Sequence, residues 1–504
     1  MTMPAPTRAM GDSEPGPDSF DSHVVETHIS YVVFVGDRVY KLKKAVVTDF
    51  VDFRTAEARQ AACEAEVALN SRLAPDVYLG VAVITGPETG RRDYLVVMRR
   101  MPDDARLTRL VARNDRRVTE KLRNIAVVLA DFHANARRSP DIDEAGRPES
   151  ILANWAANTA ALRRYLSLGI NGALVDLVDL MARRYVDGRS ELWLRRITAG
   201  RIVDGHGDLL ADDIFCLADG PRILDCLEFD PGLRAGDTLA DVAFLAMDLE
   251  WLDRPHLADR FLAAYKQAAD DDWPESLAHH WIAYRAQVRA KVAALRATQG
   301  DDDAVAQANR LLRLAYRHLA AAIPRLVLVG GLPGTGKSTL ATALGRALRW
   351  PVLRSDVVRK QLAALDPLTP APSSYGSGLY RAEVTAETYV KLLADARSLL
   401  ARGHNVILDA SWTRSCWREA AAQLAASSGA LLIPLRCYAP SPVAAGRLAA
   451  RAARGGDPSD ATERIAATMA LTADEWHEAS VVCTTGPAEA SLDMALIAID
   501  NLGV

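Results

Sequence analysis

The stretch Arg325-Leu-Val-Leu-Val-Gly-Gly-Leu-Pro-Gly-Thr-Gly-Lys-Ser-Thr339 decides the architecture of the last third of the chain. Five mainly apolar, β-branched residues lead into a glycine-rich turn, and an amphipathic run follows. Gly331 to Ser338 fits GxxxxGK[ST]. Gly331, Gly334 and Gly336 let backbone amides curl around phosphate oxygens. Lys337 reaches the β- and γ-phosphates, and the Ser338 hydroxyl offers a magnesium ligand. Thr335 and Thr339 flank these groups in the same turn. The helix that opens at Lys337 points its positive end at the anion. Lysine is scarce in this chain, with nine residues among 60 basic ones, so a lysine placed here is not noise.

Outward from this turn, Pro324 breaks a long helical region, and the texture becomes an alternation of strands and helices. Val352-Leu353, Val406 to Leu408 and Leu431 to Leu435 read as further strands. Such alternation predicts a parallel sheet covered by helices, an α/β P-loop NTPase domain over residues 325–504. Asp356 then lies at the carboxyl end of the second strand, beside the crevice where such sheets bind ligands, and can take a proton from an acceptor hydroxyl. Helix capping by Ser355 or Asp356 is the plainer alternative. Asp409 ends an apolar strand and is placed to hold magnesium. Arg447, Arg451 and Arg454 recur on one helix ahead of Gly455-Gly456, as arginines on a hinged lid or as a solvated basic face.

The stretch from about 325 to 480 resembles the small P-loop kinases that include gluconate-kinase-like, zeta-toxin-like and polynucleotide-kinase-like proteins. The resemblance implies that Asp356 serves as base and Arg359 contacts substrate or phosphate. It leaves the acceptor open, although the aromatic and glycine loop at 373–380 is one place for it.

Upstream, residues 21–320 read as one α+β domain behind a disordered tail at 1–20, which is rich in Pro, Gly, Ser and Asp. Two strand-like runs joined by Gly36-Asp37 predict a hairpin, Arg54 to Leu73 a helix, and Val81 to Ile84 and Tyr94 to Met98 further strands. Asp219-Gly220 turns a short strand pair. His206-Gly-Asp208, Asp213 and Arg222-Ile-Leu-Asp225 resemble the catalytic and metal loops of the aminoglycoside-phosphotransferase group, relatives of protein kinases. The resemblance covers about residues 25–300. It implies a base at Asp208, magnesium at Asp225 and Asp213, a phosphate-binding Lys41 and its partner Glu66, with Lys43 and Glu64 as substitutes, and a structural Asp241. His206 is expected to brace the loop. The chain departs from the group at Asp213, where Asn is expected, and at Thr27-His-Ile-Ser30, where a glycine loop is expected.

The net charge of -4 gives no global pull toward nucleic acid or anionic membrane. No apolar run spans a bilayer, and the cysteines form no CxxC pair, so a cytoplasmic protein with reduced thiols is expected. These features together predict an ATP- and Mg2+-dependent, bifunctional phosphotransferase for a small hydroxylated acceptor. Two alternatives stand beside it: an ATP-using regulator with a pseudokinase N-terminal half, and a polynucleotide 5′-hydroxyl kinase.

Overall fold

The computed structural model describes residues 22–27, 29–47, 51–86, 92–369, 371, 376–454 and 457–501. The tail at 1–20, Gly455-Gly456 and part of the 373–380 loop lie outside the described residues. The chain divides into two compact units. The first comprises Met1–Val175, Arg195–Trp273 and Trp281–Ala315, and the second Asp176–Leu194, Pro274–His280 and Tyr316–Val504. No described helix is long and apolar enough to cross a membrane.

The first unit opens with a five-stranded antiparallel sheet. Its strands are β1 (Ser22–Glu26), β2 (Ser30–Val35), β3 (Arg38–Lys43), β4 (Tyr78–Thr85) and β5 (Arg92–Arg99), in the order β1-β2-β3-β5-β4. Gly36, at φ 56°, makes the β2–β3 turn that a side chain would strain. Helix Ala56–Asn70 starts at Thr55, whose hydroxyl accepts from the Ala58 amide at 3.1 Å. Cys63 on its buried face packs with Val96 of the sheet. Phe215 and Leu224, from a segment far downstream in sequence, complete the same cluster. That shared core fixes the Asp225 loop against the sheet.

The rest of this unit is mainly helical. It carries two short two-stranded ribbons, β6 (Ile202–Asp204) with β9 (Ala235–Asp237), and β7 (Ile214–Leu217) with β8 (Gly220–Ile223). Helix Thr238–Trp251 follows Asp237, whose carboxylate accepts from the Leu239 amide at 2.8 Å. The same Asp237 receives two hydrogen bonds from buried Arg196, which also donates to Asp271.

The second unit holds a five-stranded parallel sheet. Its strands are β10 (Arg325–Gly330), β11 (Val352–Arg354), β12 (Val406–Asp409), β13 (Leu431–Tyr438) and β14 (Ser480–Cys483), in the order β11-β12-β10-β13-β14. Alternation with period two is visible in the central strand. Leu326 and Leu328 belong to one apolar layer, and Val327 and Val329 to the other. Both faces are therefore buried, as a parallel sheet requires. In-register pairing sets Val329 opposite Asp409, so the glycine turn and the strand-end aspartate emerge side by side. Edge strands β1 and β14 are additions to the sequence reading; each is short and one-sided in its pairing.

Of the six cysteines, Cys416 and Cys483 are exposed, the other four are buried, and all are free thiols. Gly330 ends β10 against two indoles, and a Cβ there would sit 2.3 Å from Trp476 and 3.1 Å from Trp412. Gly330→Ala is therefore expected to cost about 1–3 kcal/mol of stability by overpacking, read as a lower urea midpoint for the second unit.

Candidate active sites

In the first unit, β3 presents Lys41 and Lys43 on one face, two residues apart. Helix Ala56–Asn70 sets Glu66 between them. Lys41 Nζ lies 2.8 Å from Glu66 Oε1 and Lys43 Nζ 2.6 Å from Glu66 Oε2. Glu64 faces solvent, where it accepts from Gln60. Lys41 also reaches Asp225 Oδ1 at 2.9 Å, and Lys43 reaches Glu228 at 2.5 Å. Burial opposes charge on Lys41, but Asp225 and Glu66 outweigh it and hold the ammonium well above its ordinary value. Lys41 in turn holds Asp225 well below the usual carboxylate range.

The His206–Asp208 turn hangs from Asp241. The His206 and Gly207 amides donate to its two carboxylate oxygens at 2.7 and 2.8 Å, and His133 Nε2 adds a third contact at 3.1 Å. Gly205 approaches so closely that a Cβ would meet Asp241 Oδ2 at 2.6 Å. Burial lowers the His206 imidazole below its ordinary value, despite Asp241 nearby, so the ring is neutral. Its Nε2–H donates to the Leu224 carbonyl at 3.1 Å, while Nδ1 accepts from the Asp208 amide at 3.4 Å. A single neutral tautomer thus ties the Asp208 turn to the residue preceding Asp225.

Asp225 itself sits at φ 63°, a conformation uncommon outside glycine. Its amide donates to the Tyr78 hydroxyl at 3.3 Å, and the next amide, of Cys226, donates to Asn70 Oδ1 at 2.8 Å. Arg72 closes the same junction, donating to the Asp204 and Gly205 carbonyls at 3.2 and 3.0 Å. Asp213 is pushed well above the carboxylate range by burial, and by Asp225 and Asp208 beside it. Among the described residues, no three His, Cys, Asp or Glu side chains are gathered tightly enough to hold a metal alone. Asp213 and Asp225 are carboxylates of the kind that share an ion with phosphate oxygens and water, the usual habit of magnesium.

In the second unit, Gly331, Gly334 and Gly336 adopt φ of 137°, 81° and 87°. A Cβ at Gly331 would lie 2.7 Å from the Cys437 carbonyl oxygen, and one at Gly334 2.5 Å from that of Ala444. Neither of these two positions in the loop has room for a side chain. Helix Lys337–Leu348 starts from it. Thr335 is buried and bonds the Leu332 carbonyl at 2.7 Å, which shapes the loop, whereas Thr339 is exposed. Asp409 is 3% exposed, and its Oδ1 has no hydrogen-bond partner within the protein. Burial raises its carboxyl, while Lys337 and a hydrogen bond with Ser338 act to lower it. A buried, open carboxylate oxygen beside a serine hydroxyl fits a hard divalent cation.

Asp356 lies in the first turn of helix Ser355–Leu362, whose cap residue is Arg354 without a side-chain cap bond. Neither Ser355 nor Asp356 caps the helix. Asp356 Oδ1 instead accepts from Arg359 at 2.5 Å. Burial disfavours its charge, but Arg359 and Lys337 prevail and hold the carboxyl below its ordinary value. Arg359 lies over the Tyr380 ring at 4.9 Å. On helix Ser441–Arg454, Arg447 donates to Thr484, and Arg451 to the Ala461 carbonyl at 2.6 Å. Arg454 is exposed.

A Mycobacterium tuberculosis (strain ATCC 25618 / H37Rv) protein, "Uncharacterized protein Rv2004c", is 45% identical over 485 residues, 96% of this chain and 96% of that protein. The chain belongs to its family. A family model described as an AAA domain matches residues 326–475, which takes in the glycine cradle, Asp356 and Asp409. Among solved structures, a putative kinase from Chloroflexus aurantiacus J-10-fl is 26% identical, over 35% of this chain and 96% of its own, with a TM-score of 0.29. A choline kinase from Cryptosporidium parvum Iowa II is 11% identical, over 60% of this chain and 90% of its own, with a TM-score of 0.40. The first unit is an α+β fold built on a five-stranded antiparallel sheet, and the second an α/β fold whose parallel sheet carries the glycine cradle at the end of its central strand.

Sequence reasoning missed Glu228, Asn70 and Arg72. Each acts through contacts more than 130 residues away in sequence, and none sits in a recognisable motif. Asp213 generates a prediction. Its folded-state carboxyl titrates above its unfolded value, so its stabilising effect is complete below about pH 4. That effect is lost as the pH rises toward neutrality. Without metal, Asp213→Asn should therefore raise the melting temperature relative to the parent, by a margin that grows between pH 4 and pH 7. A constant margin across that range would contradict it.

Proposed function

We propose that the protein is a bifunctional, ATP- and magnesium-dependent phosphotransferase for small hydroxylated acceptors. The observation that carries the reading is in the second unit. Lys337 acts electrostatically on both Asp356 and Asp409, so the cradle's lysine has two carboxylates as neighbours at the end of the sheet. In the transfer step, the acceptor oxygen bonds to the γ-phosphorus in line as the bond to the β–γ bridging oxygen breaks. The hydroxyl proton passes to Asp356, which is ionised at neutral pH and therefore able to take it. ADP leaves with the bridging oxygen. Lys337 and the amides of Gly331, Gly334 and Gly336 bind the charge that develops on the phosphoryl and leaving oxygens. Ser338 and Asp409 would hold magnesium, which when bound neutralises phosphate charge. Arg359, stacked on Tyr380, is available to orient the acceptor.

In the first unit, Asp208 takes the place of Asp356, Lys41 that of Lys337, and Asp213 and Asp225 that of the metal ligands. Lys41 keeps Asp225 ionised, whereas burial, Asp225 and Asp208 push the Asp213 carboxyl up, a push that a cation beside it would oppose. That upward push gives the regulator reading its one specific support, since metal binding at Asp213 has to work against it.

Calorimetric titration with ATP and magnesium tests the proposal. Two equivalents are expected, one lost with Lys337→Ala and the other with Asp225→Ala. A single equivalent, lost only with Lys337→Ala, would make the first unit a pseudokinase. In the second unit, Asp356→Asn should keep nucleotide binding and lower transfer roughly 10²–10⁴-fold, the usual share of a general base. An unaltered rate would return Asp356 to a structural role.

A further inference from the structure

The contacts of Lys41 and Lys43 close into a ring. It runs from Asp225 to Lys41 at 2.9 Å, to Glu66 at 2.8 Å, to Lys43 at 2.6 Å and to Glu228 at 2.5 Å. The segment 225–228 joins its ends covalently. One short loop therefore grips β3 at two lysines, with the helix glutamate between them.

The members are not equivalent. Lys43 is fully buried, Glu66 is 1% exposed and Glu228 8%, while Asp225 is 39% exposed. The Lys43 half is thus sealed, and the Lys41–Asp225 half opens to the cleft. Three carboxylates face two ammonium groups, so the ring carries one excess negative charge when all are ionised. Phe229, the next residue, packs with Ile29, Val51 and Phe53, which fixes the loop just past the sealed half.

A nucleotide and its metal would compete for the open half only. Phosphate takes Lys41 and the cation takes Asp225, so their mutual contact must part. Glu66 keeps Lys43, and Lys43 keeps Glu228. We propose that Glu228 is a positioning residue: paired with Lys43, it holds the Asp225 loop in register with β3 while Lys41 and Asp225 exchange each other for phosphate and metal. The proposal rests on the reading of Lys41 and Asp225 as nucleotide- and metal-binding groups. It also accounts for a second lysine on β3 that the phosphate chemistry does not need. The clamp also helps to hold Asp225 at φ 63°, a conformation uncommon outside glycine but open to aspartate.

The test uses the full chain with Lys337→Ala, which silences the second site, and measures ATP binding by calorimetry with and without magnesium. The parent should bind one equivalent. Added Glu228→Gln should weaken binding with magnesium by about tenfold or more, as loss of a group that orients a metal ligand does. Binding without magnesium should change less than about threefold, because Lys41 keeps Glu66 and still meets phosphate. Replacing the whole buried pair, Lys43→Met with Glu228→Leu, removes one charge of each sign and leaves Glu66 paired with Lys41, which favours a folded protein. It should show the same selective loss, and it decides the matter if Glu228→Gln does not fold. Equal binding in variant and parent would overturn the proposal. So would an equal loss with and without magnesium, which marks a general structural role. If the Lys337→Ala parent itself binds no nucleotide, the reading of the first site fails, and the proposal falls with it.

Discussion

A single buried carboxylate, Glu66, governs how the first site is assembled. Its two oxygens are taken by two lysines from one strand, at 2.8 and 2.6 Å. An isolated carboxylate at that depth would give up its charge, and an isolated ammonium would do the same. Burial does push against ionisation of Glu66, but Lys41 and Lys43 overcome it and leave its carboxyl below the ordinary value. Charge on each member is therefore conditional on the others. Sheet, helix and the Asp225 loop are held together by this network, and removing one partner alone leaves a buried charge short of its counterion.

The second unit meets the same requirement by another route. Its phosphate-facing surface is built from backbone amides and glycines, whose conformations are enforced by close packing against the Cys437 and Ala444 carbonyls. No salt bridge is needed to shape that cradle. Its carboxylates are oriented by arginines, Asp356 by Arg359 and Asp409 by Arg354, and take no part in shaping the loop. This difference has a consequence for legibility. A cradle made from consecutive residues writes itself into a short stretch of sequence, so Gly331 to Ser338 could be read directly. A ring made from residues 41, 43, 66, 225 and 228 cannot be read that way, because what unites them is proximity across the fold.

The same distinction explains the rest of the sequence reading. The central strand Arg325–Gly330, the hairpin turn at Gly36 and the helix around Glu66 were legible because local periodicity and turn chemistry specify them. Helix Ala56–Asn70 begins two residues later than the apolar pattern alone implies, because Thr55 supplies the cap. The edge strands Ser22–Glu26 and Ser480–Cys483 were not legible: an edge strand is paired on one side only, and its pattern is set by the neighbour it joins. Segments Asp176–Leu194 and Pro274–His280 belong to the second unit through contacts such as Arg189 with the Ser428 carbonyl at 2.6 Å. A helix in the middle of a helical region carries no mark of which core it will join.

Asp356 shows how far local chemistry can be trusted for function. A carboxylate at a strand end before a helix has two ordinary uses, as a cap or as a reactive group, and the spacing fits both. The geometry separates them: the cap position is filled by Arg354, and the carboxylate turns to Arg359. Such a pairing has a chemical price in basicity. Arg359 and Lys337 make Asp356 a weak base, poorly suited to removing a proton outright. A loose phosphoryl-transfer transition state does not ask for that, since the acceptor hydroxyl sheds its proton late and needs chiefly to be aimed. A carboxylate kept ionised, fixed by an arginine and facing the P-loop lysine is suited to aiming. The electrostatics of Asp356 are thus those of an aiming group and not of a strong base.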